Sequence, residues 1–343
     1  MSSTQRTYPW LAVGLLLAVG GAIIVSTGLG FIRITPAEVV RVIAARLTGD
    51  ASLASGLDPV FPYVVLDVRL PRILAAVGVG AGLAVCGVLY QGILLNPLAD
   101  PYTLGISSGA AFGASVALLC NHTLLGHLPV PLFAFAGAVA ALMVVLLLAS
   151  RDGQLSPTTL ILAGVIVGAI LAAGISFMKY LADEQVGIIV FWLMGSFAGR
   201  TWGQVGVVFA ALLAVLAVAV YYGRDLNIIA LGSRASDSLG VETGRVRRIL
   251  LVAASLVVAV CVSVSGIIGF IGLIVPHLMR LMAGPDNRRL AVVAALAGGL
   301  LLLLADTVTR AVLPAEVPIG VLTALIGGPF FCYLFRQRGA FHG

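Results

Sequence analysis

The chain has 343 residues, of which 60% are hydrophobic and only 10% charged, and its mean hydropathy is +1.13. A soluble domain carries roughly 25% charged residues, so this composition excludes an ordinary soluble enzyme and points to a polytopic membrane protein. The formal charge of +6 fits arginines gathered in loops on one side of a membrane, and no nucleic-acid partner is needed to explain it.

A membrane span needs about 20 apolar residues. In chain order the apolar runs predict ten, at about 10–32, 71–95, 101–120, 129–150, 157–181, 203–222, 248–268, 270–283, 290–311 and 318–336. The first run follows Arg6, is too long for a signal-peptide core and lacks an A-x-A site, so it reads as a retained span. Between the first two spans the segment RITPAEVVRVIAARLTGD, within a periplasmic stretch of about 33–70, looks amphipathic and surface-lying, with Pro36 in a first helical turn. The eighth span is short and flanked by Gly and Pro. The expected fold is therefore all-α, about ten transmembrane helices in a single domain covering 1–343.

Ten spans place both termini on one side. That side holds twelve of the twenty Lys and Arg and six acids, a net +6; the other side holds eight of each and is neutral. The basic side is predicted to be the cytoplasm, which puts the polar loop ALGSRASDSLGVETGRVRR (230–248) there. RLPRILAAVGVGAGLAVCG and RVRRILLVAASLVVAVCVS open the second and seventh spans from opposite sides, a faint inverted repeat of the kind transporters use.

Small-xxx-small patterns at Gly78/Gly82, Gly105/Gly109/Gly113 and Gly164/Gly168 predict close helix packing. The four cysteines show no zinc spacing and read as small packing residues. GISSG formally fits a nucleophile elbow, but Ser107 sits in an apolar helix without the strand setting that motif needs. CNHTLLGH puts Cys120, His122 and His127 near one surface in no familiar metal spacing, and no metal is expected. Asp306 and Arg310 are spaced i,i+4, compatible with a proton relay or a structural pair. The Pro-containing breaks NPLADP and QLSPTT read as plain turns or as constrictions. Lys179, the only lysine, is placed to snorkel to the interface.

These stretches together resemble the FecCD/BtuC-type permease subunit of type II ABC importers, which move iron–siderophore chelates, heme or cobalamin. RLPRILAAVGVGAGLAVCGVLYQGILLNPLADPYTLGISSGAAFG, FWLMGSFAGRTW, LNIIALGSRASDSLGV, GIIGFIGLIVPHLMRLMAGPD and LLLLADTVTRAVLPAEVPIGVLTALIGGPFF carry the likeness, from about residue 69 to 336. It implies a homodimer with the pathway at the subunit interface, lined by the fifth and tenth spans. It implies two cytoplasmic ATPase subunits holding ATP and Mg, a periplasmic binding protein, and a multi-pass location in a bacterial inner membrane. The permease itself would bind no cofactor and catalyse nothing, in line with the missing G-x-x-x-x-G-K-[ST] loop.

Carried over by motif, Arg69, Arg72 and Arg310 would form an outer rim receiving acidic knobs of the binding protein. Asn96, Leu98, Pro157 and Thr158 would form the cytoplasmic gate, with Pro157 where the cobalamin member has a hydroxyl residue. Leu231, Gly232, Ser233, Arg234, Ser236, Leu239, Gly240, Val241 and Glu242 would couple to the ATPase, within a loop of about 223–248. Ser233 and Ser236 are expected to cap a short helix there and Gly240 to end it, while Arg245–Arg248 anchor the seventh span. The resemblance implies an iron chelate as cargo, with cobalamin second. An ion-coupled secondary transporter is the rival of another class, and it would need acids at mid-membrane depth.

Overall fold

The computed structural model describes residues 3–123, 128–151, 154–311 and 316–339. In chain order its helices are α1 (Ser3–Gly28), α2 (Pro36–Thr48), α3 (Val60–Tyr63), α4 (Leu70–Ile93), α5 (Ile106–Thr123), α6 (Val130–Ala149) and α7 (Pro157–Ala182). There follow α8 (Val186–Leu193), α9 (Trp202–Ile229), α10 (Ser233–Ser238), α11 (Thr243–Ser265), α12 (Ile271–Ala283), α13 (Asn287–Ala311) and α14 (Ile319–Gly339). The ten predicted spans coincide with α1, α4, α5, α6, α7, α9, α11, α12, α13 and α14. Among the described residues, seven helical stretches are long and apolar enough to cross a bilayer, and shorter apolar helices cover Ile106–Asn121, Ile271–Ala283 and Ile319–Cys332.

The surface helix forms as its sequence dictates. The Thr35 hydroxyl accepts from the Glu38 amide, the Glu38 carboxylate accepts from the Thr35 amide at 2.8 Å, Pro36 opens the helix, and Gly49 closes it at φ 75°. Those bonds to Thr35 hold the Glu38 carboxyl below its ordinary value. Further on, α3 runs without interruption through a π-helical turn, Val64–Arg69, into α4. The helix is thus continuous over Val60–Ile93, about ten residues longer at its N-terminal end than the apolar run alone suggests.

α4 is the axle of the bundle. Within Val60–Ile93, 94% of the most apolar window is buried, against 28% for Pro157–Leu193, so neighbouring helices cover α4 while α7 keeps an open apolar face. Backbone contact makes this possible. At the crossing of α4 and α13 a Cβ on Gly80 would overlap the Gly298 carbonyl, and one on Gly298 would overlap that of Gly80. Gly109 and Gly137 do the same for α5 and α6. On its other side α4 meets α11, where the Cys86 thiol donates to the Ala254 carbonyl at 3.3 Å and Cys261 lies against Val79. Both cysteines are buried and unbridged, and these are the two helices that carry the inverted repeat.

Two apolar stretches depart from continuous helix. The predicted span 101–120 begins instead at Ile106, because Leu94–Gly105 forms a loop that folds back against the bundle. The predicted span 270–283 is a helix of 13 residues, α12, about 20 Å long and too short for a hydrocarbon core of about 30 Å. Its length is explained by where it starts: Gly272 packs against the Leu83 carbonyl and Pro101, beside the middle of α4. Irregular backbone at membrane depth is tolerated only where protein covers it, and Ala99, Leu104 and Ile268 are indeed buried.

Candidate functional site

Three groups of residues stand out, spaced along the long axis of the bundle. At the end of the bundle where α4 begins, α4 and α13 bring Arg72 to Asp306 in a forked pair, with Nε 3.1 Å from both carboxylate oxygens and Nη2 2.8 Å from Oδ1. Glu316 reaches the same Nη2 of Arg72 at 2.6 Å. Arg310 approaches Asp306 only to 3.9 Å; its guanidinium instead donates to the carbonyls of Ser26 at 2.9 Å and Leu29 at 2.5 Å. Arg69 is buried and donates to the carbonyls of Thr27 at 2.8 Å and Ile32 at 2.5 Å. Of the three arginines expected to receive acidic knobs, all are already engaged within the chain. Arg69 and Arg310 cap the last carbonyls of α1, which have no partners within that helix, and Arg72 neutralises Asp306. The i,i+4 spacing of Asp306 and Arg310 hid the stronger partner, which lies on another helix.

At mid-depth the loop after α4 meets the break between α11 and α12. The Tyr102 hydroxyl donates to the Ile268 carbonyl at 2.8 Å and accepts from the Ile268 amide at 3.3 Å. One side chain thus satisfies both polar groups of a buried non-helical residue. The break itself needs left-handed backbone at Gly266 (φ 72°) and Phe270 (φ 69°). Of the expected gate residues, Asn96 closes a turn in which its Oδ1 accepts from the Leu98 amide at 3.0 Å, and Leu95 adopts φ 50°. Pro157 opens α7, with Thr158 exposed after it. The loop touches α7 at Gly164, against Thr103 and Leu104, seven residues further along than Pro157. Tyr102 was not singled out in the sequence; the signal was a hydroxyl-bearing aromatic directly after a Pro-ended break in an apolar stretch.

At the far end lies the polar loop. α10 occupies Ser233–Ser238, with Gly232 rather than a serine at its N-cap position and no side-chain cap. The capping role expected of Ser236 is corrected: Ser236 is buried within the helix and its hydroxyl donates to the Gly232 carbonyl at 3.0 Å, tying α10 to the end of α9. Gly240, at φ 72°, follows the helix as expected. Leu231 and Leu239 are 72% and 61% exposed, large apolar side chains held out on a polar loop. Val241 is half-buried and Glu242 is exposed, 3.7 Å from Arg245. The side chains of Ser233 and Arg234 lie outside the described residues, as do those of His122 and His127.

A bundle of ten apolar helices, with broken helices meeting at mid-depth and an exposed apolar tip between the sixth and seventh spans, defines a membrane permease. The chain belongs to the FecCD transport family, which it matches over residues 7–337. It is 43% identical to the cobalamin import system permease protein BtuC of Halobacterium salinarum over 84% of this chain and 77% of that protein. It is 37% identical to the molybdate import system permease protein MolB of Haemophilus influenzae over 95% of both. Among solved structures it resembles an inward-facing conformation of a metal-chelate type ABC transporter, with TM-score 0.83 and 33% identity over 96% of this chain and 99% of that one. The chain is thus a multi-pass permease subunit of the type II ABC importer class. Subunits of this kind are not enzymes; ATP hydrolysis lies on separate subunits.

Proposed function

We propose that this chain, as a homodimer, forms the pathway of an ATP-driven importer for an iron chelate. The observation that carries this reading is the near full-length likeness to a metal-chelate type transporter. Cobalamin is the second candidate, favoured by the 43% identical relative. Supporting the pathway assignment, α8, α14 and the Gly266–Phe270 break border an open apolar depression of about 620 Å³ lined by Met194, Ile267 and Gly320. The open apolar faces of α7 and α14, with Leu162, Ile170 and Leu325 exposed, suit contact with a second copy.

In this reading α10 and its flanks, Leu231 to Glu242, seat in a cytoplasmic ATPase that holds ATP and Mg, with Leu231 and Leu239 as apolar anchors. The charge asymmetry of the loops supports a cytoplasmic position for this end and for both termini, in a bacterial inner membrane. Asn96, Leu98, Pro157 and Thr158 narrow the pathway on that side. At the outer end, a carboxylate of the binding protein exchanges with Glu316 on Arg72; Glu316 is half exposed while Asp306 is buried, so only Glu316 can leave without stranding a buried charge. Arg69 and Arg310 support that end by holding α1.

The lever is tested by Leu239→Asp. The variant should insert and dimerise normally, while ATP hydrolysis by the partner no longer drives uptake. Normal ferric-chelate uptake by the variant would remove the assignment of this loop.

A further inference from the structure

The end of the bundle that carries α10 also holds a basic cavity that the transport reading leaves unused. It measures about 320 Å³ and lies between α1, α9 and α13, lined by Tyr8, Arg224, Asn227, Asp286, Arg288 and Arg289. Its walls are built rather than incidental. A Cβ on Gly223 would lie 2.9 Å from the Arg288 backbone, so α9 and α13 meet closely there. The Asp286 carboxylate accepts from the Asn227 amide at 2.8 Å and from the Arg288 backbone at 3.1 Å, and lies 3.6 Å from Arg289. Three guanidiniums thus face one carboxylate that already caps a helix. Among the described residues neither Arg224 nor Arg288 has a carboxylate within ion-pair distance, and both are exposed.

The surroundings fix the depth. The Tyr8 ring lies 5.6 Å from Arg289, and Trp10 and Tyr221 stand 78% and 76% exposed on α1 and α9, as aromatic residues do at the headgroup level of a bilayer. From there α1 carries an exposed apolar stripe, Trp10, Val13 and Leu17, at helical spacing. Cationic groups in surplus, a cavity with room for about ten waters, and an apolar track leading from it together match one ligand. We propose that this cavity binds the phosphate of an anionic phospholipid headgroup, with an acyl chain along α1. Arginine pairs with a phosphodiester through parallel N–H donors, and the Tyr8 hydroxyl adds another. Free phosphate shares this chemistry but cannot use the stripe on α1.

Native mass spectrometry of the full chain, delipidated in detergent, tests it. The probes are phosphatidylglycerol, phosphatidylcholine with the same acyl chains, and inorganic phosphate. The wild type should retain phosphatidylglycerol selectively, and millimolar phosphate should not displace it. Arg224→Gln with Arg288→Gln should weaken retention roughly tenfold, and the double Lys variant should largely keep it. Equal retention of phosphatidylcholine, displacement by phosphate, or unchanged retention in the Gln variant would overturn the proposal. So would loss of ATPase association with lipid retention unchanged, which would make the patch a protein contact. Should the Gln variant not fold, the wild type still decides: retention must fall between about 0.05 and about 0.5 M salt, and a flat response contradicts the proposal.

Discussion

Arg72 and Asp306, 234 residues apart in sequence, form a forked ion pair that ties α4 to α13 with contacts of 2.8 to 3.1 Å. Asp306 is almost fully buried. Removing one member of such a pair leaves a buried charge without its partner, which costs about 3–5 kcal/mol, whereas removing both is far milder. Asp306→Ala and Arg72→Ala should each lower the thermal unfolding midpoint in detergent. The double variant should be less damaged than the two effects added, with a coupling of about 1–3 kcal/mol. Additive losses would show that the two side chains do not act as a pair.

Tyr102 joins two non-helical stretches by one hydroxyl bonded to both Ile268 backbone groups. Tyr102→Phe keeps the ring and removes both bonds, leaving a buried amide and carbonyl exposed to nothing polar. The expected loss is about 1–3 kcal/mol, with faster hydrogen exchange at Gly266–Phe270. Exchange there that matched the wild type would mean other groups satisfy the break.

The Gly80–Gly298 crossing leaves no room for a side chain. Gly298→Val forces α4 and α13 apart, and overpacking of this kind costs about 1–3 kcal/mol or more. The variant should give less monodisperse protein and a lower unfolding midpoint, while Gly14→Val, where a Cβ meets nothing, should behave as wild type. Equal behaviour of the two variants would contradict the packing account.

A local pH effect is expected on α2. Its capping carboxylate, Glu38, has a lowered folded-state pKa, so its contribution is present above the ordinary Glu value and is lost as pH falls through the lowered one. Hydrogen exchange in the first turn of α2 should quicken over that acid range. In Thr35→Ala, which lacks the partner hydroxyl, it should be fast already at neutral pH. Identical pH profiles in the two proteins would refute the coupling.

The ten spans were legible because an apolar run of sufficient length has few other uses. The amphipathic pattern and Pro36 in a first turn likewise marked α2 from local residues alone. The small-residue spacings at Gly78/Gly82 and Gly109/Gly113 announced close packing, although not which helix each would meet. What could not be read was set by tertiary partners. Nothing local told that Arg69 would turn inward to the end of α1, or that Asp306 would prefer Arg72 to Arg310. The mid-depth break was hidden for a similar reason: GIIGF is as apolar as the helices around it, and its irregular backbone is made tolerable by distant groups, Tyr102 foremost. Ser236 looked like a cap because its neighbours are polar, yet it is buried by α9.

The central claim, that this permease moves its cargo by ATP hydrolysis on a partner, is tested most directly in proteoliposomes holding the chain, its ATPase and its binding protein. Uptake of a radiolabelled ferric chelate should require ATP and both partners and should persist when an ionophore collapses ion gradients. Uptake that proceeds without the ATPase and stops with the ionophore would contradict the account and make the chain an ion-coupled carrier.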